Sequence, residues 1–87
     1  MARTPWKTAW ITGASTGIGR AFALRLAKLG VKTAISSRSE GKLAKVAAEN
    51  PNISVYSLDV MVEAGSRDVV AAIERDLGPI DLAVLNA

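Results

Sequence analysis

Eighty-seven residues bound the chain to at most one domain, and a chain of this length buries only somewhat more than ~60% of its unfolded surface. Cysteine and histidine are absent, which removes disulfides, thiolate chemistry, imidazole catalysis and the commonest transition-metal ligands, so no metal site is expected. The net charge of +3 hides an asymmetry: residues 1–45 carry nine basic groups against one acid, Glu40, and residues 46–87 carry two against seven.

The N-terminus, Met1-Ala2-Arg3-Thr4-Pro5, lacks a long apolar core, and no apolar run approaches the ~18 residues of a membrane span, so a soluble cytoplasmic protein with no membrane partner is expected. Lys7 to Thr12 reads as a central strand, because Trp10 and Ile11 are consecutive apolar residues without strict alternation. From Gly17 to Leu29, Ile18, Phe22, Leu26 and Leu29, with Ala21 beside them, step at three or four residues, and Gly30 follows as a stop. These positions predict one amphipathic helix that packs through them. Val31 to Ser36 is a second strand. Ser39 is placed to cap a second helix that runs to about Glu49, before Asn50-Pro51. Ile53, Val55 and Leu58 mark a third strand. Ser66 is the expected cap of a third helix, whose Val69, Val70, Ile73 and Leu77 face one way until Gly78-Pro79, and Ile80 to Leu85 is the fourth strand. Strands and helices in this alternation give an α/β domain, βαβαβαβ, with a parallel sheet. Arg25, Lys28, Lys42 and Lys45 fall at spacings that suit solvated helix faces, and no basic stripe is interleaved with aromatics, so nucleic acid is not an expected partner.

Between the first strand and first helix stands Thr12-Gly13-Ala14-Ser15-Thr16-Gly17-Ile18-Gly19. Glycine there lets a pyrophosphate approach the main chain, and free N–H groups with the positive end of the helix dipole offset its charge, so a dinucleotide ligand is expected. A P-loop would need Gly-Lys-Ser/Thr where Ile18-Gly19-Arg20 stands, and the usual G-x-G-x-x-G spacing is not matched. The spacing that is matched is T-G-x-x-x-G-x-G.

With that loop, Leu58-Asp59-Val60, Gly78-Pro79-Ile80-Asp81 and Leu85-Asn86-Ala87 in register, the sequence resembles the classical short-chain dehydrogenases/reductases over nearly its whole length. Leu85 stands in place of the first Asn of their Asn-Asn-Ala-Gly motif. Thr16 occupies the position that is glycine in the extended branch. The resemblance implies a Rossmann-like doubly wound sheet of order 3-2-1-4, incomplete over residues 1–87, which would form the N-terminal dinucleotide-binding portion of such an enzyme. It also implies roles: Gly13, Ser15, Thr16, Gly17 and Gly19 around the pyrophosphate, Ile18 toward the nicotinamide, Asp59 on the adenine amino group, Val60 against the ring, and Asn86 and Ala87 along the adenosine ribose. Asn86 is equally suited to pinning the central strands through its side chain.

An acid about twenty positions beyond the glycine loop selects NAD through the ribose 2′-hydroxyl, and a basic residue there accommodates the 2′-phosphate of NADP. Ser37 stands where that carboxylate is expected and Arg38 follows, with a planar fork that suits phosphate, so NADP is expected over NAD. The reaction implied is hydride transfer between NADP(H) and a carbonyl or alcohol substrate. A tyrosine four residues before a lysine would mark its acid/base pair, but the sole tyrosine, Tyr56, has Val60 there and reads as packing, so no catalytic residue is assigned within the chain and isolated activity is not expected. Leu82 to Leu85 on an edge strand would be unprotected, which predicts that further chain, a second copy or another subunit pairs with it, and self-association of the isolated chain is expected. The alternative is a non-catalytic nucleotide-binding or self-associating half-domain.

Overall fold

The computed structural model describes residues 5–56 and 63–86, with side chains in the last stretch from 67 onward. All five residues of β1 (Thr8–Thr12) are buried, the expected fate of an apolar run flanked on both sides and covered on both faces. It pairs in parallel with β2 (Lys32–Ser36) and with β4 (Leu82–Val84), and β3 (Ile53–Val55) joins the far side of β2, giving the order β3-β2-β1-β4. The expected βαβαβαβ succession and strand order are both present. Tyr56 continues the ladder for one residue past β3, donating its N–H to Ile35 O at 2.9 Å, and Leu58 lies outside the described residues.

Helices cover opposite faces of this sheet. Ala9, Ile11 and Ile35 point to the face occupied by α1 (Gly17–Lys28) and α2 (Glu40–Ala47), where they meet Ala23, Leu26, Leu43 and Val46. On the other face Trp10 and Ala34 pack against Ile73 of α3 (Glu63–Leu77). In register Trp10 is flanked by Ala34 and Ala83, small neighbours that leave room for the indole, and its Nε1–H donates to Ser36 Oγ at 2.9 Å. Burying a tryptophan without that acceptor would cost ~1–3 kcal/mol.

Two expectations are corrected. The α1 face turned to the sheet is Gly19, Ala23, Leu26 and Ala27, whereas Ile18 is 80% exposed and Phe22 and Leu29 are more than one-third exposed. Both stripes have helical period and share Leu26; the small-residue stripe wins because it lets the helix axis come close to a sheet face already filled by Ile11 and Ile35. Ser66 does not cap α3, whose backbone is helical from Glu63, so Ser66 lies inside the first turns. Ser39 does occupy the N-cap of α2, without a side-chain bond to the helix. The stop at Gly30 is confirmed in detail: its N–H reaches Ala27 O at 3.0 Å and the Val31 N–H reaches Leu26 O at 3.1 Å, a paired closure that also seats Val31 in the core beside Leu26.

The opposite ends of the described chain are tied by Asp81. Its carboxylate accepts the main-chain N–H of Lys7 at 2.7 Å and of Thr8 at 3.0 Å, and these two bonds hold its carboxyl below the usual carboxylate range. Because the folded value lies below the unfolded ~3.9, the clasp stabilises the fold above that pH and is lost as pH falls through the folded value. Thermal melts of wild type and Asp81→Asn are expected to converge on acidification below about pH 4, with the wild type losing more. Parallel pH profiles would remove Asp81 from the acid response.

Candidate functional site

Thr12 and Ser36 stand opposite each other in register, so the loop after β1 and the turn after β2 leave the sheet side by side at its carboxyl edge. The segment after β4 arrives on the other flank of β1. Successive crossovers run to one side of β1 through α1 and to the other through α3, so this edge is the point where strand order reverses, the place where open α/β sheets take ligands.

Three segments close on one another there. A Cβ at Gly13 would overlap the main-chain carbonyl oxygen of Asn86, and one at Gly19 would overlap that of Gly13. Gly13 also has φ of 62°, a left-handed conformation that costs residues with a side chain about 1–2 kcal/mol. The Asn86 side chain donates from Nδ2 to Gly13 O at 3.2 Å, its main-chain N–H donates to Thr12 Oγ1 at 3.0 Å, and the Thr12 hydroxyl lies 3.3 Å from Asn86 O. Asn86 therefore pins the central strands to the loop, one of the two roles its sequence position allowed. The Ala14 N–H reaches Ser36 O at 3.3 Å and ties the same loop to β2.

Past this clasp the loop opens. Thr16 takes the N-cap position of α1 in an extended conformation and makes no side-chain bond to the first turn, which contains no acid. A Cβ at Gly17, with φ of 61°, would meet nothing within 4 Å. Ile18 projects from the first turn. The helix thus presents uncapped N–H groups and its positive end to open space, the donor set an anionic phosphate needs. Ser37 Oγ accepts the Ser39 N–H at 3.1 Å, while Arg38 is exposed and makes no hydrogen bond or ion pair among the described residues. Asp59, Val60 and Ala87 lie outside the described residues.

Alongside the loop runs a groove of about 430 Å³, with Ser15, Thr16 and Gly17 on one wall and Lys42 and Lys45 of α2 on the other. Arg20 and Glu49 close it with an ion pair at 2.6 Å. The reading of Lys42 and Lys45 as ordinary solvated surface is incomplete: both are exposed, but they face the loop. Their three-residue spacing on a short helix, with Glu49 four residues on, was the available signal.

A family model described as short chain dehydrogenase matches residues 7–87. The chain belongs to the short chain dehydrogenase family. The family binds nicotinamide dinucleotides. Among curated proteins, the acetoacetyl-CoA reductase of Rhizobium meliloti is 37% identical over 81 residues, covering 93% of this chain and 34% of its own length. The gluconate 5-dehydrogenase of Gluconobacter oxydans is 40% identical over 83 residues, covering 91% and 32%. A short chain dehydrogenase structure from Bacillus anthracis superposes with TM-score 0.88 at 30% identity, covering 93% of this chain and 34% of that one. A variant of the actinorhodin polyketide ketoreductase, solved with NADPH, superposes with TM-score 0.89 at 32% identity, covering 100% and 35%. The chain therefore spans about one third of the length of the relatives it matches.

The geometry of this short chain dehydrogenase loop separates its glycines by function. Gly13→Ala combines a left-handed backbone with a clash against Asn86, and is expected to destabilise by about 3 kcal/mol or more. Gly17→Ala meets only the backbone penalty, about 1 kcal/mol. Urea unfolding of the two variants checks the ranking, and equal losses would contradict the close approach of Asn86.

Proposed function

We propose that the chain is the N-terminal NADP-binding portion of an oxidoreductase that moves hydride between NADP(H) and a carbonyl or alcohol substrate. The observation that carries the cofactor choice is Arg38, an exposed guanidinium with no hydrogen bond or ion pair among the described residues, two positions past the strand end that Ala14 ties to the glycine loop, with Ser37 in place of a carboxylate. The ketoreductase solved with NADPH supports it. In this reading Ser15 and the backbone from Gly13 to Gly19, with Thr16 and Gly17 at the turn, hold the pyrophosphate against the uncapped first turn of α1. Ile18 borders the nicotinamide. Asp59 and Val60 contact the adenine, and Asn86 and Ala87 run along the ribose. Bound there, the nicotinamide supplies the hydride chemistry.

The acetoacetyl-CoA reductase and gluconate 5-dehydrogenase relatives support a carbonyl/alcohol substrate class. The proton-transfer groups are assigned to the part of the relatives' length that this chain does not span. Tyr56 is not among them: its hydroxyl donates to Asp76 at 2.9 Å on the α3 face, and burial, reinforced by that carboxylate, raises its pKa. No helix among the described residues is long and apolar enough to cross a membrane.

Arg38→Asp in the protein carrying this chain is expected to weaken NADPH about ten- to a hundredfold, the worth of a charge-assisted bidentate contact, while NADH holds or improves. Titrating both cofactors at one ionic strength checks it, since salt screens exposed phosphate contacts. An unchanged NADPH/NADH ratio ends the NADP assignment.

The second reading, a self-associating half-domain, draws on the open flank of β4, where Leu85 is 76% exposed beside half-buried Leu82 and Val84. A strand edge left unpaired among the described residues, with this composition, invites pairing with a second copy. Sedimentation of the 87-residue chain at tens of micromolar is expected to show association, and a clean monomer would count against it.

A further inference from the structure

We infer that Lys42, supported by Lys45, supplies the second positive charge of the 2′-phosphate subsite, so that selectivity for the phosphorylated dinucleotide is divided between Arg38 and the face of α2 across the groove from the glycine loop. The inference rests on the NADP reading above.

A phosphomonoester carries about 1.5 to 2 negative charges near neutral pH, so a single guanidinium leaves roughly one charge unbalanced. The loop does not supply the balance, because Thr16 is neutral and the first turn of α1 faces the pyrophosphate. Arg20 lines the groove, but its charge is already met by Glu49 at 2.6 Å. Lys42 and Lys45 line the same groove one turn apart and make no hydrogen bond or ion pair among the described residues. With the Arg20–Glu49 pair neutral, they give the groove its net positive charge.

Position favours Lys42. Arg38 immediately precedes the N-cap Ser39, and Lys42 follows in the first turn, so the two cations flank the same end of α2. A lysine there also sits at the positive end of the helix dipole, which Glu40 of the same turn complements in part and a bound anion would complement further. Lys45, in the last turn, complements the dipole without a ligand and is the weaker contributor.

The test uses two nucleotides that differ only in the phosphate at issue, adenosine 2′,5′-bisphosphate and adenosine 5′-monophosphate, titrated calorimetrically at fixed ionic strength. Lys42→Gln is expected to weaken the bisphosphate about fivefold, the upper range for a solvent-exposed charge contact, and to leave the monophosphate unchanged. Lys42→Arg should retain most of the preference, and Lys45→Gln should lose less than Lys42→Gln. If Arg38→Gln discriminates the nucleotides and Lys42→Gln does not, the role of Lys42 falls and the NADP reading stands. If the wild type does not prefer the bisphosphate, both fall. Equal loss of both nucleotides in Lys42→Gln, with Lys42→Arg unchanged, would make the effect general electrostatics and overturn the subsite.

Discussion

The site depends on a contact in which three stretches of backbone touch with no side chain between them. Asn86 lies against Gly13, and Gly13 against Gly19, at separations that exclude even a methyl group. Once this approach is set, much else follows: the loop leaves β1 in a left-handed turn, the first residues of α1 lie over the end of the sheet, and the carboxamide of Asn86 reaches the loop carbonyl it satisfies. A wider loop would still bind β1 to β2 through Ala14, but it would not aim the helix end at the crevice beside β4.

The same economy of space explains the two unequal faces of the sheet. Close approach of α1 is possible because its inner stripe is glycine and alanine around a single leucine, which leaves the larger Ile18 and Phe22 outside. On the other face Trp10 packs with buried Ile73 and the half-buried Val69, Val70, Leu77 and Ile80, and its one polar atom is met by Ser36. Among the described residues every buried side-chain nitrogen and oxygen has a partner. Arg38 and the two groove lysines, which have no hydrogen bond or ion pair among the described residues, are exposed, where hydration keeps them inexpensive.

Strand order, parallel pairing and the glycine loop were legible in the sequence because each follows from local chemistry: apolar runs with no alternation, stops at Gly30 and Gly78, and a glycine spacing between strand and helix. The core-facing side of α1 was not, because hydropathy ranks Ile18 and Phe22 above Gly19 and Ala23, whereas the deciding quantity was distance to the sheet. The start of α3 was misplaced for a related reason: Ser66 is a good capping residue, but helix boundaries are set by where backbone continuity ends. Asn86 was legible as a residue of the site, while its hold on Gly13 and Thr12 joins residues more than seventy positions apart and has no local signature. Lys42 and Lys45 carried a helical spacing, but which wall they face is a tertiary fact.

The clasp also bears on the order in which the protein can be built. Gly13 lies near the beginning of the chain, yet the atoms that fix its carbonyl belong to Asn86, and the carboxylate that seals the start of β1 belongs to Asp81. The β1–β2 pair, closed by a short helical crossover, has a modest loop to close and can form early, whereas β4 must span nearly the whole chain and bears a larger entropic cost. During synthesis the glycine loop therefore leaves the ribosome long before its partners do. It acquires its final shape only when residues 81–86 have emerged, so the glycine loop settles after β1 and β2 have paired although its motif is among the first segments to be made.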